Sequence, residues 1–367
     1  MRRKRETRNV PFRVERMGGA TLVEQVVGGL RQAILSGFYR PGDVLPSITA
    51  LAETLGVSRI VTRHAVRTLA EERYIHSRPS AGSIVLDSEE RRWKGRVLLV
   101  RRTNGFGYYD SVFEAVLRSR LVKEGWLCTS VCAQIGTNRK SSDVEEVKAA
   151  ASRPFDLAVV LFDNPAAEEV LSGVGTPFVV LGIDRPCRLR GCKASINFDR
   201  TAAGGQFVAA CRSAGIKHVV QVGMYDHGDV SIALRRAGIR LDTWLLRGVP
   251  KDASLDAYVE AGRGALSDFI KSKRPLPDAF YFIDDYVCAG ALSALSDAGI
   301  RAPADVRVAT WANHGNVPAY ARPLSRIELN PQGNAEDIAS FCIGLVSGKG
   351  YMTPPSIEPT WIQGETL

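Results

Sequence analysis

One short amphipathic stretch of this chain begins with arginine and hydroxyl side chains. Ser58, Arg59, Thr62 and Arg63 fall on one face of a predicted helix, with His64 beside them. Guanidinium groups form paired hydrogen bonds with base edges and phosphates, and hydroxyls donate to phosphates. A helix that presents such groups from its first turns fits the major groove of DNA. This face is therefore a candidate DNA-reading surface.

Two short helices and a turn are predicted to position that face. Ser47 follows Pro46 and suits the cap of the first helix, while Ser58 suits the cap of the second. Gly56 lies between the two helices and permits a tight turn. A helix-turn-helix is the expected result.

A third helix and a hairpin are predicted around this pair. The segment 22–36 repeats apolar residues at helical spacing, and residues 73–76 and 83–86 form two short strands around the turn RPSAG. Three helices followed by a hairpin make a winged helix. Its tip, with Arg78, Ser80 and Gly82, is expected along the DNA backbone or in the minor groove.

Residues 22 to 86 resemble the GntR family of bacterial regulators. The resemblance rests on ILSGFYRPGDVLPS, LGVSRIVTRHAV and a glycine-tipped wing that ends GSIV. It implies base or phosphate contacts from the two arginines of the second helix. The family has Glu-Arg after its LPS, whereas this chain has Ile48 and Thr49, so the site preference is expected to differ. The predicted DNA contacts are Ser47, Thr49, Ser58, Arg59, Thr62, Arg63, His64, Arg78, Ser80 and Gly82.

Charge is concentrated at the start of the chain. Residues 1–96 hold 18 Lys or Arg and 10 Asp or Glu, which is +8 of the total +9, and the remaining 30 basic and 29 acidic residues give +1. A basic head on a nearly neutral body suits a polyanion partner. No apolar run reaches the roughly 20 residues of a membrane helix, and no secretory signal follows the basic N-terminus. A cytoplasmic location is expected.

The body alternates continuous apolar strands with amphipathic helices. Such alternation over residues 96–367 favours an α/β fold with parallel sheets covered on both faces. The predicted domains are a basic flexible tail (1–15), a winged helix-turn-helix (16–86), a charged linker (87–95) and the α/β body (96–367).

The body resembles the ligand-binding domain of LacI-type repressors, which is related to periplasmic sugar-binding proteins. FYFIDDYVCAGALSALSDAGIRAPADVRVATWANHG carries the clearest likeness, and INFDRTAAGGQFVAACRSAGIKHVVQVG and SIALRRAGI agree. The resemblance implies two lobes with a cleft between them. Lobe 1 is expected at about 96–212 plus 329–350, and lobe 2 at about 213–328 plus 351–367.

Cleft residues follow from that resemblance. Asp and Asn suit sugar hydroxyls, an arginine grips hydroxyls or a carboxylate, and aromatic rings stack on the apolar face of a sugar. Asp199 and Asp285 also suit helix caps, and Trp311 also suits the core. The predicted ligand residues are Phe106, Tyr108, Tyr109, Asp199, Arg235, Asp284, Asp285, Trp311 and Asn313.

Catalytic and metal motifs are missing from the sequence. It has no GxSxG, HExxH or P-loop pattern, and the seven cysteines form no CxxC pair. His218, His227 and His314 have no metal spacing, so we expect no metal, no cofactor and no enzyme activity. The alternatives are a carbohydrate-active or PLP-type enzyme fused to a DNA-binding head, or a regulator that senses a nucleobase or an acidic metabolite.

The sequence thus predicts a DNA-binding regulator, by default a repressor. A homodimer is expected on a palindromic operator of double-stranded DNA. A small molecule between the lobes, by analogy a sugar or sugar derivative, is expected to control the affinity for the operator.

Overall fold

The computed structural model divides the chain into two compact units, residues 1–95 with 125–127 and residues 96–124 with 128–367. The predicted contacts Ser80 and Phe106, and the side chain of Arg78, lie outside the described part. The structure describes residues 10–15, 21–78, 82–87, 93–102, 107–133, 144–153, 155–162, 164–182, 187–247, 249, 254–348 and 352–367.

The first unit contains three helices and a hairpin. Thr21 and Glu24 form a reciprocal capping box at the start of the first helix, and Ser47 and Ser58 cap the next two as predicted. Gly56 ends the second helix in the left-handed conformation, with φ of 63°. The elements are α1 (Leu22–Leu35), α2 (Ile48–Leu55), α3 (Arg59–Glu71), β1 (Ile75–Arg78) and β2 (Gly82–Val85).

One apolar core holds these elements together. Leu30, Leu51 and Leu69 come from the three helices, are 0% exposed and pack in the same cluster. Val44, between α1 and α2, pairs with Ile84 of β2 in a single antiparallel β-bridge. The predicted winged helix is therefore the fold of this unit.

The last residues of the predicted flexible tail, 10–15, pack on the winged helix instead. Val10, Phe12 and Val14 pack on the winged-helix core, and Phe12 lies so close to Gly29 that a Cβ there would overlap its ring. The backbone amide of Glu15 also donates to the Gln25 side chain. Alternating apolar residues give this segment a face that α1 covers, so residues 10–15 belong to the domain.

The second unit begins with a five-stranded sheet in the order β4-β3-β5-β6-β7. Strands β3, β5, β6 and β7 pair in parallel, and β5 and β6 are buried along their whole length. Its elements are β3 (Gly95–Arg102), α4 (Tyr108–Lys123), β4 (Trp126–Ala133), α5 (Glu145–Ala151), β5 (Leu157–Leu161), α6 (Pro165–Val174), β6 (Phe178–Leu181) and β7 (Cys192–Ile196).

A six-stranded sheet follows, in the order β13-β12-β11-β10-β8-β9. Five strands are parallel, and only β13 runs antiparallel to its neighbour β12. Its elements are α7 (Thr201–Ser213), β8 (His218–Gly223), α8 (Gly228–Arg236), β9 (Arg240–Leu245), α9 (Leu255–Lys271), β10 (Ala279–Phe282), α10 (Asp285–Asp297), β11 (Arg307–Asn313), β12 (Ser325–Leu329), α11 (Pro331–Val346) and β13 (Thr360–Ile362). The predicted α/β class with parallel sheets is confirmed.

The chain crosses between the two lobes more than once. After β12, α11 packs on α4 in the first lobe, and β13 then returns to the second sheet. The first crossing differs from the expected boundary near residue 212. Phe207 and Cys211 of α7 are 0% exposed in the core of the second sheet, because the apolar face of α7 is covered by α8, β12 and β13. The first lobe therefore ends before Thr201.

Among the described residues, no helix combines the length and the apolar character needed to cross a membrane.

Candidate functional sites

The exposed face of α3 is basic. Arg59, Ile60, Arg63, His64 and Arg67 are all exposed, and their spacing places them on one side of the helix. Within the described part of the chain, Arg59 and Arg63 take part in no ion pair, whereas Arg67 pairs with Glu71 at 2.8 Å. Two guanidinium groups in the first half of α3 are thus exposed for an external acceptor.

Thr62 does not share this face, contrary to the prediction. It is 0% exposed, and its hydroxyl donates to the Ser58 carbonyl oxygen at 3.3 Å. The reason is helical phase, because residue 62 lies one turn before the buried Ala65 and Val66. Thr62 is a core residue of the winged helix.

The remaining predicted DNA contacts lie at element ends. The side-chain oxygens of Ser47 and Ser58 accept backbone hydrogens from Ala50 and Val61, which leaves each hydroxyl proton to donate elsewhere. Thr49 is half-buried in the first turn of α2. Gly82 begins β2 with φ of 84°, a conformation that favours glycine.

In the second unit, polar and aromatic side chains gather where the parallel strands end. Phe162 follows β5, Phe198 follows β7 and Tyr225 follows β8, while Asp284 follows β10 and Asn313 ends β11. The carboxyl ends of parallel strands are the usual ligand-binding edge of an open α/β sheet. These ends belong to both lobes, so a cleft between the lobes is the candidate ligand site.

Asp285 is the centre of a buried polar cluster in this cleft. It is 4% exposed, and one of its carboxylate oxygens accepts from Asn313 at 3.0 Å and from Asn316 at 3.1 Å. Burial, with the neighbouring charge of Asp284, raises the pKa of Asp285 to about 6. Asp284 caps α10 by accepting the Val287 amide hydrogen, and burial raises its pKa. The Asn313 side-chain oxygen is buried without a hydrogen-bond partner among the described residues.

The two predicted tyrosines take different positions. Tyr108 begins α4, and its backbone amide donates to the Tyr286 hydroxyl of the second lobe at 3.1 Å. Its own hydroxyl lies against Gly315, in the loop after β11. Tyr109 is buried in the first lobe, stacks on Phe113 and accepts a hydrogen bond from Asn334. Tyr108 therefore lines the junction of the lobes, whereas Tyr109 supports the core beneath it.

Arg200 is a cleft residue that the sequence analysis missed. Its guanidinium carbon lies 5.8 Å from the Trp311 ring centroid and 6.0 Å from that of Phe198, and it donates to Asp229 at 3.3 Å. It joins the end of β7 in the first lobe to Trp311 in the second. Arg200 directly follows Asp199 in INFDRTAAGG, a segment that the resemblance already placed near the cleft. That position was the signal in the sequence for a cleft role.

His227 was given no role from the sequence, but it supports Trp311. It is 3% exposed, and its ring packs edge to face on Trp311 with the two ring centroids 5.0 Å apart. Its Nδ1 lies 3.0 Å from the Tyr281 hydroxyl oxygen. Burial, together with the positive charge of Arg200, lowers the pKa of His227 to about 3. A neutral imidazole therefore fixes one side of this half-buried indole.

Asp199 and Arg235 are not drawn into this cluster. Asp199 is exposed and accepts the Thr201 amide hydrogen at 2.9 Å just before α7 begins, where Arg200 is the N-cap residue. Arg235 is exposed in the last turn of α8. The pKa of Asp226 is lowered mainly by hydrogen bonds from Ser231 and Gln221, and the charge of Arg235 adds a smaller contribution. In the described residues, neither side chain forms a hydrogen bond or an ion pair with Asp284, Asp285 or Asn313.

Metal coordination finds no support in the described ranges, which hold no group of three His, Cys, Asp or Glu arranged around an ion.

Two family models match separate parts of the chain. Residues 22–85 match the bacterial regulatory proteins of the gntR family, and residues 208–367 match the periplasmic binding protein-like domain. The mannosyl-D-glycerate transport/metabolism system repressor MngR of Escherichia coli (strain K12) is 39% identical over 75 residues. That match covers 20% of this chain and 30% of MngR.

Solved LacI-type structures share the fold of the body. A LacI family transcriptional regulator from Arthrobacter sp. FB24 in complex with lactose aligns with a TM-score of 0.59 and 20% identity, over 74% of this chain and 98% of that one. The lac repressor dimer bound to operator and the anti-inducer ONPF aligns with a TM-score of 0.60 and 15% identity, over 74% of this chain and 93% of that one. At these identities the likeness is one of fold.

Proposed function

Since this chain joins a gntR-family winged helix to a periplasmic binding protein-like domain of LacI-type fold, we propose that it is a transcriptional regulator whose DNA affinity a small molecule controls. The observation that carries the proposal is the basic exposed face of α3. Two copies of the chain bind the two halves of a palindromic operator, each with α3 in the major groove. Repression relieved by an inducer is the proposed mode.

The chemistry of the α3 face supports DNA as the partner. Arg59 and Arg63 present guanidinium groups that have no acidic partner among the described residues, and Ser58 has a hydroxyl proton to donate. Arginine is suited to guanine edges and to phosphates, because its planar fork donates two parallel hydrogen bonds. Loss of one such contact costs about 1–3 kcal/mol of binding free energy.

The cleft chemistry supports a sugar or sugar derivative as the effector. Asp284, Asp285 and Asn313 offer acceptors and donors for hydroxyl groups, and Trp311 offers a ring face. MngR, which this chain matches over 75 residues, is a repressor of a mannosyl-D-glycerate transport/metabolism system, and the Arthrobacter regulator was solved in complex with lactose. Arg200 beside Trp311 adds a cation that also suits a sugar acid.

DNA binding is tested with duplexes selected in vitro by the full-length protein. Arg63→Ala is expected to weaken binding at least about tenfold, and loss of a phosphate contact also lowers the salt dependence. Arg236→Ala, an exposed arginine of α8, is the matched control and keeps full affinity. Failure of the wild-type protein to select any sequence would contradict the proposal.

Effector binding is tested by thermal shift with sugars, sugar acids, polyols and nucleobases. A ligand at 100 times its Kd stabilises the folded body by about 2.7 kcal/mol, so a hit raises the Tm measurably. Asn313→Ala and Arg200→Ala are expected to reduce the shift in Tm. Arg235→Ala tests whether the arginine that the resemblance implied also binds the ligand. Equal loss of DNA and ligand binding in Arg63→Ala would contradict separate sites.

A further inference from the structure

A large apolar side chain lies in the middle of the basic face of α3. Ile60 is 76% exposed and is the second residue of the helix. At 100° per residue, it falls between Arg63 and His64 around the helix axis. The neighbouring apolar residues of α3 behave differently, because Val61 packs against the core and Val66 is buried within it.

The position of Ile60 in the first turn of α3 would place it against base edges in the major groove. Residues in the first turn of a recognition helix contact base edges rather than the distant backbone. The major-groove edges of the four bases carry hydrogen-bonding groups, and the C5 methyl of thymine is the one methyl group among them. The most favourable apolar contact for an isoleucine in the first turn is therefore a thymine methyl group.

The side chain is also held ready for that contact. A β-branched residue in a helix has one strongly preferred χ1 rotamer, so the two methyl groups of Ile60 keep a nearly fixed direction. The cap between Ser58 and the Val61 amide fixes the backbone on both sides of Ile60. Arg59 and Arg63 flank it and bring α3 to the groove through phosphates or guanines.

We infer that Ile60 is a specificity residue that recognises the C5 methyl group of a thymine in each half of the binding site. The inference rests on the proposed function, because it requires α3 to enter the major groove. Arg59 and Arg63 supply affinity and guanine or phosphate contacts, and Ile60 supplies the apolar contact that distinguishes thymine from the other bases.

Uracil substitution tests the inference directly, since deoxyuridine differs from thymidine by this methyl group alone. The full-length protein first selects its sequence from a random duplex library. Each thymine of the selected duplex is then replaced singly by uracil, and affinity is measured for wild type, Ile60→Ala and the control Ile232→Ala, which changes an exposed isoleucine of α8.

The expected result is one thymine position per half-site at which uracil weakens wild-type binding by about fourfold, the factor for burying one methyl group. Ile60→Ala is expected to bind the thymine duplex more weakly and to be insensitive to uracil at that position. Ile232→Ala keeps the wild-type pattern. Because Ile60 is exposed, its replacement leaves the winged-helix core intact, which circular dichroism verifies.

Two results would overturn the inference while the proposed function stands. One is a selected site at which no uracil substitution weakens wild-type binding. The other is an Ile60→Ala variant that keeps the full sensitivity to uracil. If the wild-type protein selects no sequence at all, the proposed function fails as well, so the two failures are distinguishable.

Discussion

His227 and Asp285 are buried titratable residues of the second lobe, each at the start of a helix that follows a strand of its sheet. Burial lowers the pKa of His227 to about 3 and raises the pKa of Asp285 to about 6, because removal from water disfavours the charged form of each side chain. Asp285 is stabilised by two asparagine amides, and His227 by the Tyr281 hydroxyl. These two buried polar groups are therefore each held by specific hydrogen-bond partners.

His227→Gln is predicted to reduce the loss of stability at acid pH. The native pKa lies below the unfolded value of about 6.5, so the stabilising contribution of His227 is complete above pH 6.5 and is lost as the pH falls towards 3. Between pH 7 and pH 5 this loss amounts to about 2 kcal/mol. Urea unfolding of the body at several pH values measures it, and parallel profiles for wild type and variant would contradict the prediction.

At the scale of elements, α9 and α10 approach each other through glycine. A Cβ on Gly262 would overlap the Val287 carbonyl oxygen, and a Cβ on Gly290 would overlap the Val259 carbonyl oxygen. Because both positions are glycine, the backbones of the two helices can contact each other directly. This contact covers one face of the second sheet, where Phe280 and Phe282 lie in the same core as Leu266.

Gly262→Ala is predicted to destabilise the body by about 1–3 kcal/mol, because the added methyl group forces the helices apart. Gly264→Ala, two residues later in α9, is the matched control. Gly264 is exposed with open space around its Cα, so alanine there is expected to stabilise the helix by up to about 1 kcal/mol. Denaturant unfolding compares the two, and equal effects would argue against the glycine contact.

At the scale of the whole molecule, the proposed switch links two separate units. The coupling between the two sites is reciprocal. If the effector changes the affinity of the protein for operator by some factor, operator changes the affinity for the effector by the same factor. For a typical coupling free energy, that factor lies between about 5 and 150. The two lobes meet through Tyr108 and Tyr286, and Arg200 spans to Trp311, so the proposed ligand would contact both lobes at once.

Calorimetric titration of the effector with and without operator duplex is predicted to give Kd values that differ by this same factor. The corresponding DNA titrations, with and without effector, supply the independent measure. Unequal factors would show that a further state or a second site takes part. Equal affinities in both titrations would contradict an effector-controlled regulator.

The sequence by itself determined the elements whose signal is local. Capping serines, the left-handed Gly56 and helical apolar spacing defined the winged helix, and the alternation of apolar strands with amphipathic helices defined the α/β class of the body. The two domain types followed from motifs that are contiguous in the chain. Local backbone and side-chain preferences suffice for such features.

Only the tertiary structure decided which residues face each other. Helical phase moved Thr62 into the core, an alternating apolar face attached residues 10–15 to the first unit, and Phe207 placed α7 in the second lobe. Arg200 and His227 became parts of the cleft because distant strand ends converge on Trp311. Burial depends on contacts between residues far apart in the chain, and neither local spacing nor residue type specifies those contacts.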